Sequence, residues 1–225
     1  LLVQQLNLRA QFPLRLRPET EQELASKLWQ PQLIAGTLYQ DGINSDRLVR
    51  RILDLLQLAG AAGFPAEDVS TLLDAGLGAS APLPAIGEAL VQWRDWCLER
   101  GFLTYGIIFE LYWRYLLPHP TYQQHLTTRY RAVCADDVDE YPAICRSLFE
   151  VFLDAHIPCA FTYNPNGGVR LGLNADPQSL AQLAQRCQIE ALSQRGGLGE
   201  SLANTAVQLV LDPLYFQTLP PQVQS

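Results

Sequence analysis

The feature that most constrains this chain is a change of pattern near residue 129. Arg131, Ala132, Val133, Cys134 and Ala135 form a short apolar strand segment that ends on Asp136 and Asp137. A helix is expected over residues 142–156. A second strand, over residues 157–162, runs into the turn cluster Asn164, Pro165, Asn166, Gly167 and Gly168. Asp176 and Pro177 then cap and start a helix that reaches Arg186. A third strand is expected over residues 188–192, then a loop at Gly196 and Gly197, then a helix over residues 200–211. Strand–helix–strand–helix–strand is the order of a parallel α/β sheet.

The part before residue 129 reads as helices. Thr20 and Glu23 have capping-box spacing ahead of Leu24, Leu28 and Trp29. Ser45 is placed to cap a helix whose apolar face carries Leu48, Ile52, Leu55 and Leu56, with Gly60 as its stop. Residues 65–73 form another short helix, and residues 76–84 read as a Gly/Ala/Ser/Pro loop. Residues 86–100 are amphipathic and end at Gly101. Residues 105–117 follow, and Pro118 and Pro120 break the pattern.

Composition narrows the function classes. The 225 residues carry 16 basic and 23 acidic side chains, a net charge of −7, which does not favour binding to phosphate backbones. No apolar run approaches the roughly 20 residues that a membrane-spanning helix needs, so no membrane is expected. The five cysteines are widely spaced, without zinc-ligand spacing, and buried reduced thiols in a cytoplasmic protein are expected. The chain opens on leucine and holds no methionine, so an internal piece of a longer protein is expected. The single lysine, Lys27, lies in no phosphate-binding loop.

Four groups of residues bear on chemistry. Asp136 stands at a strand end, where one carboxylate oxygen suits a hydrated Mg²⁺, and Asp137 beside it could polarise a water. The alternative is a solvated acidic turn, with Asp139 and Glu140, that caps the next helix. The loop from Asn164 to Asn174 either faces a γ-phosphate or is a plain turn. Arg195, after the third strand, either reaches a phosphate or faces solvent. The aromatics Trp93, Trp96, Tyr105, Phe109, Tyr112, Trp113 and Tyr115 lie among Arg94, Arg100 and Arg114. They suit stacking on single-stranded nucleic acid, although helical spacing assigns Trp93, Trp96, Phe109 and Trp113 to a core.

The order of these segments carries a resemblance. Residues 130–140, from Tyr130 to Glu140, resemble the Y-x-x-h-h-V-D-E-[FY]-Q-D motif of UvrD/Rep-type superfamily 1 helicases. Residues 93–105 look like the family's helical insertion. Residues 161–177 are similar to its V-G-D-P-D-Q-S-I-Y-x-F-R-G-A-D-P segment. Leu192, Ser193, Gln194 and Arg195 fall where the family has L-x-x-N-Y-R-S.

The resemblance implies an α/β fold: a partial RecA-like parallel sheet with a mainly helical insertion subdomain. The helical subdomain would span residues 1–125, with residues near the N-terminus open to assignment to the core. The second part of the first ATPase domain would span residues 126–200, and a further segment residues 201–225. It implies ATP and Mg²⁺ as cofactors, with Asp136 on the metal, Asp137 as the catalytic carboxylate that polarises the attacking water, and Asn164 and Arg195 as nucleotide contacts. Single-stranded DNA is the implied partner, and missing parts of the same chain, upstream of Leu1, would complete the ATP site. The sequence departs from the family at five points. Asp137 replaces a glutamate, Asn164 an aspartate, Gly167 the glutamine that senses the γ-phosphate, and Arg170 an aromatic. Asp139 stands at a further glutamine. These losses leave two expectations, a working motor or an inactive relative that serves as a nucleic-acid- or protein-binding scaffold.

Overall fold

The structure is a computed structural model that describes residues 13–77, 83–165 and 174–192. Residues Leu1–Arg186 form one compact unit and Cys187–Ser225 a second. The described residues of the first unit are mainly helical and include two parallel two-stranded sheets, so its class is broadly α/β.

Strand β1 (Leu14–Arg15) leads into α1 (Pro18–Leu28), α2 (Gln30–Ala35) and α3 (Ser45–Ala62). A 3₁₀ turn (Ala66–Asp68) and α4 (Val69–Leu77) come next, then α5 (Leu83–Glu99), β2 (Phe102–Leu103) and α6 (Tyr105–Leu111). The chain continues through a π-helical turn (Tyr112–Leu116) into α7 (Pro120–Arg129). Strand β3 (Val133–Ala135), α8 (Ile144–Asp154), β4 (Cys159–Phe161) and α9 (Pro177–Ala181) complete the unit, with a final 3₁₀ turn at Gln182–Arg186. Of the expected loop over residues 76–84, Gly76 and Leu77 belong to α4 and Leu83 and Pro84 to α5, and residues 78–82 lie outside the described residues.

Several helix ends differ from the sequence expectation. Helix α1 starts at Pro18, with no side-chain cap. Proline at the first position sacrifices no hydrogen bond, so the Thr20–Glu23 box is not needed, and Glu23 instead pairs with Lys27 at 2.6 Å. Helix α3 is capped by Asn44, whose side chain accepts the Arg47 amide, rather than by Ser45. It runs through Gly60 and ends at Gly63, whose φ of 84° suits a left-handed cap.

Gly60 serves packing instead. A Cβ there would meet the Gly106 carbonyl at 2.8 Å, and one on Gly106 would meet the Leu56–Gln57 backbone at 2.9 Å. The two glycines let α3 and α6 cross backbone to backbone. Pro120 does not merely break a pattern: it sits at the first position of α7, where its fixed φ favours the helix.

The helical part closes around Trp29 and Trp93, both fully buried, with Val49, Ile52, Leu53, Leu56, Leu90 and Ile107. Trp29 meets Trp93 edge-on, and Trp93 stacks on Trp96 with centroids 5.4 Å apart. Trp93 is therefore core; Trp96, Phe109 and Trp113 are half-buried. Beside this core the buried Glu110 carboxylate accepts from Arg94 at 3.0 Å and Arg114 at 2.9 Å. Glu67 accepts from the same two arginines. Burial opposes the Arg94 charge, but its bonds to Glu67, Glu110 and Asp95 outweigh that and hold it cationic.

A second, smaller core gathers Val138, Phe149, Leu180 and Leu183 beneath one face of the β3–β4 pair. The cysteines are reduced in the structure, but the expectation of burial holds fully for Cys97 alone; Cys134 is exposed on β3. Burial pushes the half-buried Cys145 thiol up to about 11. The expected strand over residues 188–192 is irregular chain, with Ile189 and Leu192 largely exposed. A strand needs a neighbour for its amides and carbonyls, and no ladder forms there. The expected helix over residues 200–211 lies outside the described residues. Among the described residues, no helix is long and apolar enough to cross a membrane.

Candidate functional site

Short apolar runs bounded by polar turns make β3 and β4 strands, and α8 between them returns the chain so that they run parallel. The register pairs Val133 with Cys159, Cys134 with Ala160 and Ala135 with Phe161. Both strands therefore end at one level, and one residue further on Asp136 faces Thr162.

That pairing is tied by hydrogen bonds. The Thr162 amide donates to the Ala135 carbonyl at 3.0 Å, and the Val138 amide to the Thr162 carbonyl at 2.9 Å. The Asp137 amide donates to the Thr162 hydroxyl oxygen at 2.8 Å. The Thr162 hydroxyl in turn donates to the Asp136 carboxylate. Asp137 sits in the left-handed region, with φ 48°. A short acid tolerates this conformation better than most residues, and it turns the chain into the 3₁₀ turn Val138–Glu140.

The acids at this turn do different things. Asp136 and Asp137 are exposed at the strand end. Asp139 is only 4% exposed and accepts the Asn164 amide at 2.9 Å. The turn is thus not a wholly solvated acidic cap: α8 has no side-chain cap at all, and Asp139 latches the loop after β4. Tyr163 extends the latch by donating its hydroxyl to the Pro177 carbonyl at 3.1 Å, and the Asp176 amide donates to the Tyr141 carbonyl at 2.9 Å. Asp176 caps α9 through the Ser179 amide, as its sequence position foretells.

The structure thus brings Asp136, Asp137 and Asn164 to one end of the β3–β4 pair. Arg195, Gly167 and Arg170 lie outside the described residues. Sequence reasoning missed Thr162 and the buried role of Asp139. The signal for Thr162 was the strand register, which two apolar segments alone do not supply.

Mg²⁺ can be held by one carboxylate with waters and phosphates completing its shell. The donor set fits that use: one Asp136 oxygen takes the Thr162 proton, and the other has no protein partner among the described residues. Among the described residues there is no group of three side chains able to cage a metal, so the fit is to a hydrated ion.

Several of the arginines are engaged by other side chains. Arg50 pairs with Asp54 and Glu21, Arg51 bonds Gln40, and Arg114 pairs with Glu67 and Glu110. Arg100 lies over the Trp96 ring, 4.3 Å from its centroid. Compared with known proteins, the chain matches no family model and no curated sequence.

Proposed function

We propose that this chain is the central part of a UvrD/Rep-like DNA helicase or a helicase-derived ATPase, one that couples ATP hydrolysis to movement on single-stranded DNA. The observation that supports it most is the parallel β3–β4 pair, which sets Asp136, Asp137 and Asn164 at neighbouring carboxyl ends. In open parallel sheets, ligands sit beyond those ends. A strand ending at Asp136 that ran antiparallel to β4, or lay in another sheet, would have removed the basis for the reading.

In this reading Asp136 holds the hydrated Mg²⁺ and Asp137 polarises the attacking water. Asn164 and Arg195 contact the nucleotide. When bound, the ion neutralises charge developing on the transferred phosphoryl group. These residues hold no phosphate-binding loop, so this reading requires one supplied from outside them. Asp137 favours a second reading, a catalytically inactive relative that acts as a scaffold. Its carboxylate is drawn back by about 1.5 Å, one C–C bond, from a glutamate's reach. A misplacement of that size is costly when a water must be oriented.

ATP hydrolysis by the full-length protein, with and without single-stranded DNA, separates the two readings. DNA-stimulated turnover that disappears in Asp136→Ala supports the motor. A folded protein without turnover moves the assignment to the scaffold.

A further inference from the structure

We propose that Thr162 is a positioning residue, whose hydroxyl holds the Asp136 carboxylate with one oxygen left for a divalent cation. This rests on the metal role given to Asp136 above. It concerns a residue that the helicase resemblance does not mark.

A hydroxyl has a single hydrogen and two acceptor sites. The Asp137 amide occupies one acceptor site of the Thr162 oxygen. The hydrogen goes to one Asp136 oxygen. The rotor is thereby fixed from both sides.

The backbone of Thr162 is fixed as well. Its amide donates to Ala135 and its carbonyl accepts from Val138. Four hydrogen bonds thus join one residue at the end of β4 to the chain that carries the two acids. An exposed aspartate ordinarily explores several rotamers, and ordering it opposes ligand binding. Here the threonine orders it in advance. Valine matches threonine in shape and supplies neither bond.

The test uses Mn²⁺ as the probe in the presence of ADP. Its affinity for the full-length protein is titrated by electron paramagnetic resonance, so no turnover is required. Thr162→Val is expected to weaken Mn²⁺ binding by roughly 10- to 100-fold, the usual effect of losing a group that orients a metal ligand. Thr162→Ser restores it, and Asp136→Asn abolishes it. Wild-type affinity in Thr162→Val, with Asp136→Asn defective, overturns this proposal and leaves the metal role of Asp136 standing. Wild-type affinity in Asp136→Asn overturns that role and the proposal with it. A folded Thr162→Ser that stays weak also counts against the hydroxyl. If Thr162→Val does not fold, amide hydrogen exchange in the unsubstituted protein decides. The Asp137 amide is expected to exchange slowly, and exchange at the rate of free peptide overturns the proposal.

Discussion

Around Trp29 and Trp93, order comes from burying large apolar side chains; around Asp136, it comes from directional hydrogen bonds between short chain segments. The helical core gathers residues from five helices, and apolar side chains make up its interior. Among the described residues the β3–β4 end has a thin core on one face, and the turn that carries the acids is tied by Thr162, Asp139 and Tyr163. Apolar burial is strong but tolerant of small shifts, whereas hydrogen bonds fix atoms in place. A region whose task is support can rely on the first. A strand end that presents two carboxylates at defined positions needs the second.

The contrast breaks most sharply if the tryptophan core proves dispensable. Trp93→Ala is expected to cost about 3–5 kcal/mol, through lost burial and the cavity it leaves. Urea unfolding measures this, and a cost below that of an ordinary surface substitution would refute the division. Next comes the glycine crossing. Gly106→Ala places a Cβ against the Leu56–Gln57 backbone, which cannot retreat as a flexible side chain could. Overpacking of this kind costs about 1–3 kcal/mol, and the same substitution at the exposed Gly76, where a Cβ meets nothing within 4 Å, should cost less.

A smaller and more local effect is expected at the strand ends. Asp139→Ala removes the acceptor of the Asn164 amide, at about 1 kcal/mol. The faster exchange of that amide should far outstrip any change in the amides of α3. Equal changes in both regions would show that the latch is not local.

The smallest effect concerns pH. Burial pushes the Glu21 carboxyl above its ordinary value, and the Arg50 charge and a Thr104 hydrogen bond offset this only in part. Asp54 opposes ionisation too. The stabilising contribution of the neutral acid is complete below the ordinary glutamate pKa and is lost as pH rises through the raised value. Glu21→Gln should therefore match the wild type near about pH 4 and gain on it toward neutrality. Unfolding curves at the two pH values check the sign, and a widening gap in favour of the wild type would reverse it.

Local pattern carried a good deal of this fold. The two strand segments and the helix between them appear near their expected places because short apolar runs and flanking polar turns are encoded by near neighbours. Asp176 and Pro177 start their helix as expected for the same reason. Gly60 and Pro120 show the limit. A glycine that ends one helix and a glycine that admits another helix look alike in sequence, and the difference lies in Gly106, far along the chain. Pro120 opens a helix rather than only closing one, because the residues after it decide its role. The paired strands β1 and β2 were invisible, since two residues have no period.

The candidate site divides in the same way. The residues themselves indicated that an acidic pair ends an apolar strand and that Asn164 comes after the next one, because those are facts of adjacency. Their meeting at one sheet end, the hydroxyl of Thr162 between the two acids, and the burial of Asp139 depended on strand register. Register is set by contacts between segments some 25 residues apart, as the Asp137–Thr162 and Asp139–Asn164 bonds are. The sequence by itself determined which groups this protein could offer. Only the tertiary structure decided which of them face each other, because hydrogen bonds act over ångströms and chain neighbours do not specify distant ones.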